Sequence, residues 1–399
     1  MPHKGRQHSH MTPLDWLDTQ ADSLLSTVVE WASINSGSRN TEGLDRVANQ
    51  ISKVFQSLDP DQFDQRTITL DSGALRPLLV FKKRSHLPNQ IFLFGHFDTV
   101  YGPEHPFQKV QELDNNRLGG PGVCDMKGGL AILFHGLQAF EKFIDEKHFG
   151  WTIVLNPDEE IGSPASTKEL VRLAERHICG FCFETALQNG GIATQRKGSG
   201  VFKLRFHGKA AHSGRNPRDG RNALLPLAKF VLFCENLNQQ QEAIYFNPAV
   251  VQTGSSYNVV PDLATCVVNV RTTAAEDEQR TLNYLQDFIA DLHRTTEFRA
   301  DLDGTFTAPP KPYTPAIQEL ISIAQQSAKE IGISLPTGST GGTCDGNRLA
   351  AADLPNIDNL GARGGSIHSP EEFIYVDSLV ERAKLFCRTL EKLNQRFRS

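Results

Sequence analysis

Residues 90–100 read "QIFLFGHFDTV", an apolar run that stops at His96 and Asp98. A run this short, closed by polar residues, reads as a strand covered on both faces; a half-exposed strand would alternate polar and apolar positions. Two further stretches repeat the pattern, "WTIVLNPDEE" at 151–160 and "ICGFCFETA" at 178–186. Between the first and second, "KGGLAILFHGLQAFEKFI" at 127–144 sets Leu130, Leu133, Phe134, Leu137 and Phe140 at helical spacing. Apolar strands linked by helices predict an α/β domain with a mainly parallel sheet. In open sheets of this kind ligands sit beyond the carboxyl ends of the strands. The polar residues that follow each run are where chemistry is expected.

The style of the sequence changes near Thr194. "GVFKLRFHGK" (200–209) alternates like a half-exposed strand, and "GRNALLPLAKFVLFCENL" (220–237) reads as a helix. Strands follow around "AVVQTG" (249–254) and "ATCVVNVRTT" (264–273), then a helix in "EDEQRTLNYLQDFIADL" (276–292) and a strand in "EFRADLDGTF" (297–306). That β-α-β-β-α-β order is the split pattern of a small ferredoxin-like α+β domain. "TAPPKPYTP" (307–315), with its four prolines, reads as a linker. Helical patterns at 316–332 and 376–393 then return to the first style. The expected organisation is one α/β domain, residues 1–194 with 309–399, into which a smaller domain, 195–308, is inserted.

At 399 residues the chain is too long for one ordinary core. A formal net charge of -5, with no basic cluster interleaved with aromatics, gives no reason to expect a nucleic-acid partner. There is no signal-peptide core and no membrane-spanning run, so a cytoplasmic protein with no membrane partner is expected. Seven cysteines are an odd number without a disulfide-framework spacing. "CGFC" (179–182) has a redox spacing but lies inside an apolar strand, and core packing is expected for it. His3, His8 and His10 belong to an opening tail for which disorder, rather than loose metal binding, is expected.

Candidate chemistry collects at the strand ends. His96 and Asp98 form a His-x-Asp, and residues two apart in an extended chain point the same way. Asp98 can thus accept the second ring N–H of His96 and fix a metal-bound imidazole, although the pattern alone equally fits a structural hydrogen bond. Asp125 lies in "GGPGVCDMKGG" (119–129), where glycines allow close backbone approach. It is either a site residue or the N-cap of the helix that follows. Glu159 and Glu160 end the second strand, Glu184 the third, and His368 follows a glycine pair in "GGSIHSPEEF" (364–373). Singly these read as solvated loop residues. Together, two histidines and several carboxylates along one sheet edge form an oxygen and imidazole donor set that suits zinc, cobalt, manganese or nickel. "GSTGGTCDGN" (338–347) lacks the G-K-[ST] ending of a phosphate loop.

The motifs "GHFDTV", "GGPGVCDMKGG", "PDEEIGS", "FETA" and "HSPEE", in this order, resemble the M20 family of metallopeptidases. Its members include glutamate carboxypeptidases, acetylornithine and succinyl-diaminopimelate deacylases, and aminoacylases. The resemblance covers nearly the whole chain. It implies a zinc-peptidase-like catalytic domain, with the inserted domain serving as lid and dimerisation domain of a homodimer. It also implies two divalent metal ions per subunit, with Zn2+ expected and Co2+ or Mn2+ as alternatives. Asp125 would bridge both ions, His96 and Glu184 would complete one set, and Glu160 and His368 the other. Asp98 would orient His96, and Glu159 would be the general base. Adjacent residues of an extended loop point apart, so Glu159 and Glu160 could serve water and metal separately. Asp158 is left with loop hydrogen bonding.

The same resemblance bears on the substrate. The family carries Glu at the position of Glu184 in its carboxypeptidases and acylases, and Asp in its dipeptidases and aminopeptidases. The implied substrate is a small molecule with a free carboxylate, either an N-acyl amino acid or a C-terminal residue. In the inserted domain, His212 would reach the other subunit's active site as an oxyanion donor. Asn258 and Arg271 match positions near the substrate carboxylate, where Arg271 would make a bidentate contact. The family more often has Asp where Asn269 stands. Gly341, Gly342 and Thr343 would offer backbone contacts, and Arg363 a further carboxylate contact. The expected activity is metal-dependent hydrolysis of an amide or peptide bond adjacent to a free carboxylate. A dipeptidase or aminopeptidase of the family, or a non-catalytic metal-binding member, are the alternatives.

Overall fold

The computed structural model describes residues 11–398 except Asp71 and Ser255, so His3, His8 and His10 lie outside the described residues. The chain divides into two compact units. One comprises the residues up to Thr194, Tyr313–Gly338 and the chain from Ala352 onward; the other comprises Gln195–Pro312 and Ser339–Ala351.

The first unit is built on a six-stranded sheet of β1 (Gln62–Thr69), β2 (Leu75–Lys83), β3 (Gln90–His96), β4 (Gly150–Asn156), β5 (Cys179–Cys182) and the short strand Asn356–Ile357. The order is β1-β2-β4-β3-β5, with Asn356–Ile357 beyond β5. Strand β3 runs parallel to both β4 and β5, and the short strand Asn356–Ile357 runs parallel to β5. Strand β2 is antiparallel to both of its neighbours, β1 and β4. Every residue of β3 and β4 is buried. Because successive side chains point to opposite faces, both faces of the sheet centre are covered. The in-register ladder sets His96 beside Asn156, so the segments that leave β3 and β4 emerge at the same edge.

Helix α1 (Gly128–Phe143) is buried over most of its circumference, from Gly128 through Leu137 without a break. Two glycines explain how it packs so closely. A Cβ on Gly129 would stand 1.9 Å from the Phe183 carbonyl oxygen, so only glycine lets the helix start abut the end of β5. A Cβ on Gly136 would meet the Ala383 carbonyl at 2.9 Å, where α1 meets the C-terminal helix Asp377–Arg396. From that helix Phe386 packs edge-on against Phe183, with ring centroids 4.7 Å apart. The "CGFC" cysteines lie in β5 as buried, unbridged thiols, and burial pushes Cys179 up to about 12. Among the described residues no helix is long and apolar enough to cross a membrane.

The second unit contains β6 (Gly198–His207), α2 (Leu224–Gln240), β7 (Ile244–Thr253), β8 (Leu263–Thr272), α3 (Glu276–Thr295) and β9 (Arg299–Ala308). The four long strands among these are antiparallel in the order β7-β8-β6-β9, the ferredoxin-like arrangement. Here burial alternates. Cys266, Val268 and Val270 join Phe202, Phe206 and Phe230 in the core, whereas Val267, Asn269 and Arg271 face away. Each fully buried aromatic or aliphatic side chain of this cluster contributes roughly 1.5–3 kcal/mol relative to exposure.

The division differs from expectation in two places. The sequence assigns residues 309–399 wholly to the catalytic domain, but residues 309–312 and Ser339–Ala351 group with the second unit. Polar ties explain the second. Asn347 donates to the carbonyls of Lys197 and Pro309 at 3.2 and 2.8 Å, and Arg348 to that of Thr307 at 3.2 Å.

Candidate metal centre

At the carboxyl edge of the first unit's sheet, His96, Asp125 and Glu184 place one donor atom each within 4.8 Å of one another, and so do Asp125, Glu160 and His368. Asp125 belongs to both groups. Its Oδ1 lies 3.2 Å from His96 Nε2, and its Oδ2 lies 3.3 Å from His368 Nε2. His96 Nε2 is also 3.8 Å from Glu184 Oε1, and His368 Nε2 is 3.1 Å from Glu160 Oε2. Ligands about 2.0–2.2 Å from a tetrahedral ion stand roughly 3.3 Å from each other, so both groups have suitable spacing.

The tautomer of His96 tests the fit further. Its Nδ1 lies 3.1 Å from the Asp98 carbonyl oxygen and 3.3 Å from Asp98 Oδ1. A carbonyl only accepts, so Nδ1 carries the proton and Nε2 turns a lone pair toward Asp125 and Glu184. Lone pairs facing carboxylates need a positive charge between them. Protonation reflects the same demand. His368 is raised to about 10 by its bonds to Asp125 and Glu160. His96 is also raised: burial opposes the shift, but the bonds to Asp125 and Asp98 outweigh it. Asp125 is held low, since its bonds to His368 and His96 outweigh burial. Glu160 is pushed up to about 7 by burial and by the charge of Asp125. Divalent cations would satisfy what protons here satisfy.

Asp98 does more than the sequence suggests. It is fully buried, and its two oxygens accept the backbone N–H groups of Glu159 and Glu160 at 3.1 and 3.2 Å. Ser38 Oγ donates to Oδ2 at 2.7 Å. Asp98 thus ties His96 to the acidic pair. Glu159–Ile161 forms a single 3-10 turn rather than the extended loop expected for it. Asp158 accepts from the backbone N–H groups of Ala165 and Ser166 at 2.9 and 3.2 Å, closing the loop on itself. Asp125 is no helix cap. It sits with φ -119° and ψ 94° in the turn Val123–Lys127, and its carboxylate faces the histidines.

Sequence reasoning missed Glu372, Tyr101, Lys127 and Ser38. Glu372 lies in the quoted "GGSIHSPEEF" and Lys127 in "GGPGVCDMKGG", which were usable signals; Tyr101 and Ser38 belong to no quoted motif. Burial pushes Glu372 up to about 7, with the charge of Asp125 adding to the shift. Burial also lowers the Lys127 ammonium to about 7.

The second unit holds the remaining candidates. His212 is exposed on the short strand Ala211–His212, which pairs with Val259–Val260. Ser213 N–H donates to the Asn258 carbonyl at 3.0 Å, which extends this pairing one residue beyond His212 and Val259. His212 Nδ1 accepts the backbone N–H groups of Gly214 and Arg215 at 3.1 and 3.3 Å, which leaves the proton of the neutral ring on Nε2. Arg271 donates from Nε to Asn269 Oδ1 at 3.1 Å and from Nη1 to the Gly341 carbonyl at 3.3 Å. Gly342 offers its carbonyl to Arg196 Nη1 at 3.2 Å, and Thr343 follows in the same loop. Arg363 lies in the first unit and faces two acidic side chains. Glu381 takes its Nε and Nη2 at 3.2 Å each, and Asp377 lies 3.4 Å from Nη2, so its charge is compensated within the protein.

An α/β fold with paired histidine–carboxylate groups at the carboxyl edge of its sheet has the architecture of a metal-dependent hydrolase. Residues 92–392 match the family described as peptidase family M20/M25/M40, and the chain belongs to that family. Carboxypeptidase G2 of Pseudomonas sp. (strain RS-16) is 24% identical over 374 residues, covering 93% of this chain and 89% of its own length. A succinyl-diaminopimelate desuccinylase of Nitrosospira multiformis is 26% identical over 320 residues, 75% of this chain and 82% of its own. Among solved structures, aminopeptidase PepT of Bacillus cereus superposes with a TM-score of 0.79 at 18% identity, covering 94% of this chain and 98% of that one. A Bacillus subtilis protein described as a dinuclear metal-binding M20 peptidase gives 0.69 at 14% identity, covering 95% and 99%. The structural likenesses establish the fold. Family membership makes the protein a hydrolase of amide or peptide bonds.

Proposed function

We propose that the protein is a dinuclear metal-dependent hydrolase that cleaves an amide or peptide bond adjacent to a free carboxylate. The observation that carries this reading is Asp125, whose two oxygens each face a different histidine. His96, Asp125 and Glu184 would hold one ion, and Asp125, Glu160 and His368 the other. Zn2+ suits the nitrogen and oxygen donors, as do Co2+ and Mn2+. Bound there, the ions would acidify a water and polarise the scissile carbonyl.

The rest falls to the chain. Glu159, beside the ligand Glu160, takes a proton from the attacking water. The water oxygen bonds to the carbonyl carbon, the carbon–nitrogen bond breaks, and Glu159 returns the proton to the leaving nitrogen. His212, supplied by the second copy of a homodimer, donates from Nε2–H to the oxyanion; the Nδ1 bonds that fix its tautomer support this assignment. Arg271, with Asn258 and the Gly341–Thr343 loop, receives the substrate carboxylate. A cytoplasmic location is part of the proposal, supported by seven unbridged cysteines.

The test is a substrate panel of N-acetyl amino acids, folate-type glutamates and dipeptides, assayed with zinc, cobalt or manganese. Cleavage of the N-blocked substrates is expected. Turnover confined to substrates with a free amino terminus would replace this reading with a dipeptidase or aminopeptidase.

A further inference from the structure

Three of the chain segments that form the paired groups are the end of β3 bearing His96, the turn bearing Asp125, and the loop bearing His368. One buried carboxylate touches all three. Glu372 Oε1 accepts the successive backbone N–H groups of Cys124 and Asp125, at 2.9 and 3.1 Å. Glu372 Oε2 lies 2.9 Å from the Tyr101 hydroxyl, five residues beyond His96. That hydroxyl is also 2.9 Å from the carbonyl of Ser369, the neighbour of His368. The Glu372 carbonyl accepts from Gly120 N–H at 3.2 Å, and Phe373 and Ile374 continue the contact as an antiparallel ladder with Gly119 and Leu118.

The Glu372 carboxylate is shielded from bulk water, since Glu372 is 1% exposed. The loop it closes is conformationally demanding. Ser366 and His368 both adopt positive φ, at 54° and 62°, which such residues hold only where the surroundings over-determine them. Asp125, whose position sets the separation of the two groups, is held through its own backbone N–H.

We infer that Glu372 is the positioning residue that sets the spacing of the two donor groups, locking the Asp125 turn to the loop of His368. This rests on the reading of Asp125, His96 and His368 as ligands. Glu372 does not touch the ions or the substrate. It acts through Asp125 and His368, so its loss falls on metal retention before substrate binding.

The experiment compares the parent with Glu372→Ala, Glu372→Gln and Tyr101→Phe. It uses calorimetric titration of zinc into the metal-stripped proteins, with kcat and KM measured at saturating zinc. The parent should bind two ions per chain. Glu372→Ala should lose roughly 10–100-fold in affinity for at least one ion, the range for loss of a group that supports metal ligands, with KM little changed. Glu372→Gln should recover most of that loss, because its amide oxygen still accepts both N–H groups while its NH2 faces the Tyr101 oxygen. Tyr101→Phe, which removes one tie and keeps the fold, should lose a few-fold and carries the test if Glu372→Ala does not fold. Parental zinc affinity in Glu372→Ala or Tyr101→Phe overturns the inference, as does a raised KM with metal binding intact. A parent that binds no zinc overturns the ligand reading instead, so the two failures are distinguishable.

Discussion

The centres of the main sheets of the two units are covered in opposite ways. β3 and β4 of the first unit have no exposed residue, whereas in β8 of the second unit buried and part-exposed positions alternate along the whole strand. A sheet sealed on both faces leaves polar groups one outlet, the ends of its strands, and there they accumulate as a buried cluster. A sheet sealed on one face can carry polar groups anywhere along the other, and Asn269 and Arg271 do so. The first unit therefore concentrates groups whose charge depends on burial, and the second offers groups that meet solvent.

The largest effect should follow from breaking the buried side. Glu159→Ala should lower kcat roughly 10²–10⁴-fold, the span of general-base removal, while two ions per chain are retained. Steady-state kinetics with elemental analysis checks both, and near-parental turnover would remove Glu159 from the mechanism. Next comes the exposed side. His212→Ala should cost on the order of 10²–10³ in kcat, as removal of an oxyanion donor does. Mixing it with Glu159→Ala should restore activity if His212 acts across a dimer; no recovery would confine it to its own chain.

The smallest effect concerns stability alone. His135 is buried with neither ring nitrogen hydrogen-bonded, and burial lowers it to about 4. The unfolded chain takes up this proton near pH 6.5 and the folded chain only near 4, so stability is fully present above 6.5 and is lost as pH falls toward 4. The loss is at most on the order of 3 kcal/mol. All three tryptophans, Trp16, Trp31 and Trp151, lie in the first unit and report on it. The drop in their urea midpoint between pH 7 and 5 should shrink in His135→Leu. An unchanged drop would assign the acid sensitivity to other groups.

What was legible in the sequence follows from the same contrast. Unbroken apolar runs announce a sealed sheet, and their abrupt polar ends announced His96, Asp98, Glu159, Glu160 and Glu184. The ferredoxin-like unit was legible from alternation. Glu372 was not assigned a role, because its partners Cys124 and Asp125 lie about 250 positions away and no local period links them. For Arg363 the sequence does not show that Glu381 and Asp377 already answer its charge. Residues 339–351 were misplaced for a similar reason. They are tied by individual hydrogen bonds, from Asn347 and Arg348 and to the carbonyls of Gly341 and Gly342, that composition does not show.

Asp98 has a consequence for anyone altering this protein. One carboxylate holds the imidazole of His96 and also the backbone from which Glu159 and Glu160 project. If His96 and Glu160 are ligands and Glu159 the base, as proposed, errors in the two are correlated: a substitution that tilts one displaces the other. Under the proposed roles, catalysis and metal binding would be separable at the Glu159 side chain and inseparable at its support. Tuning one without the other has to begin beyond Asp98, at the tips of the side chains.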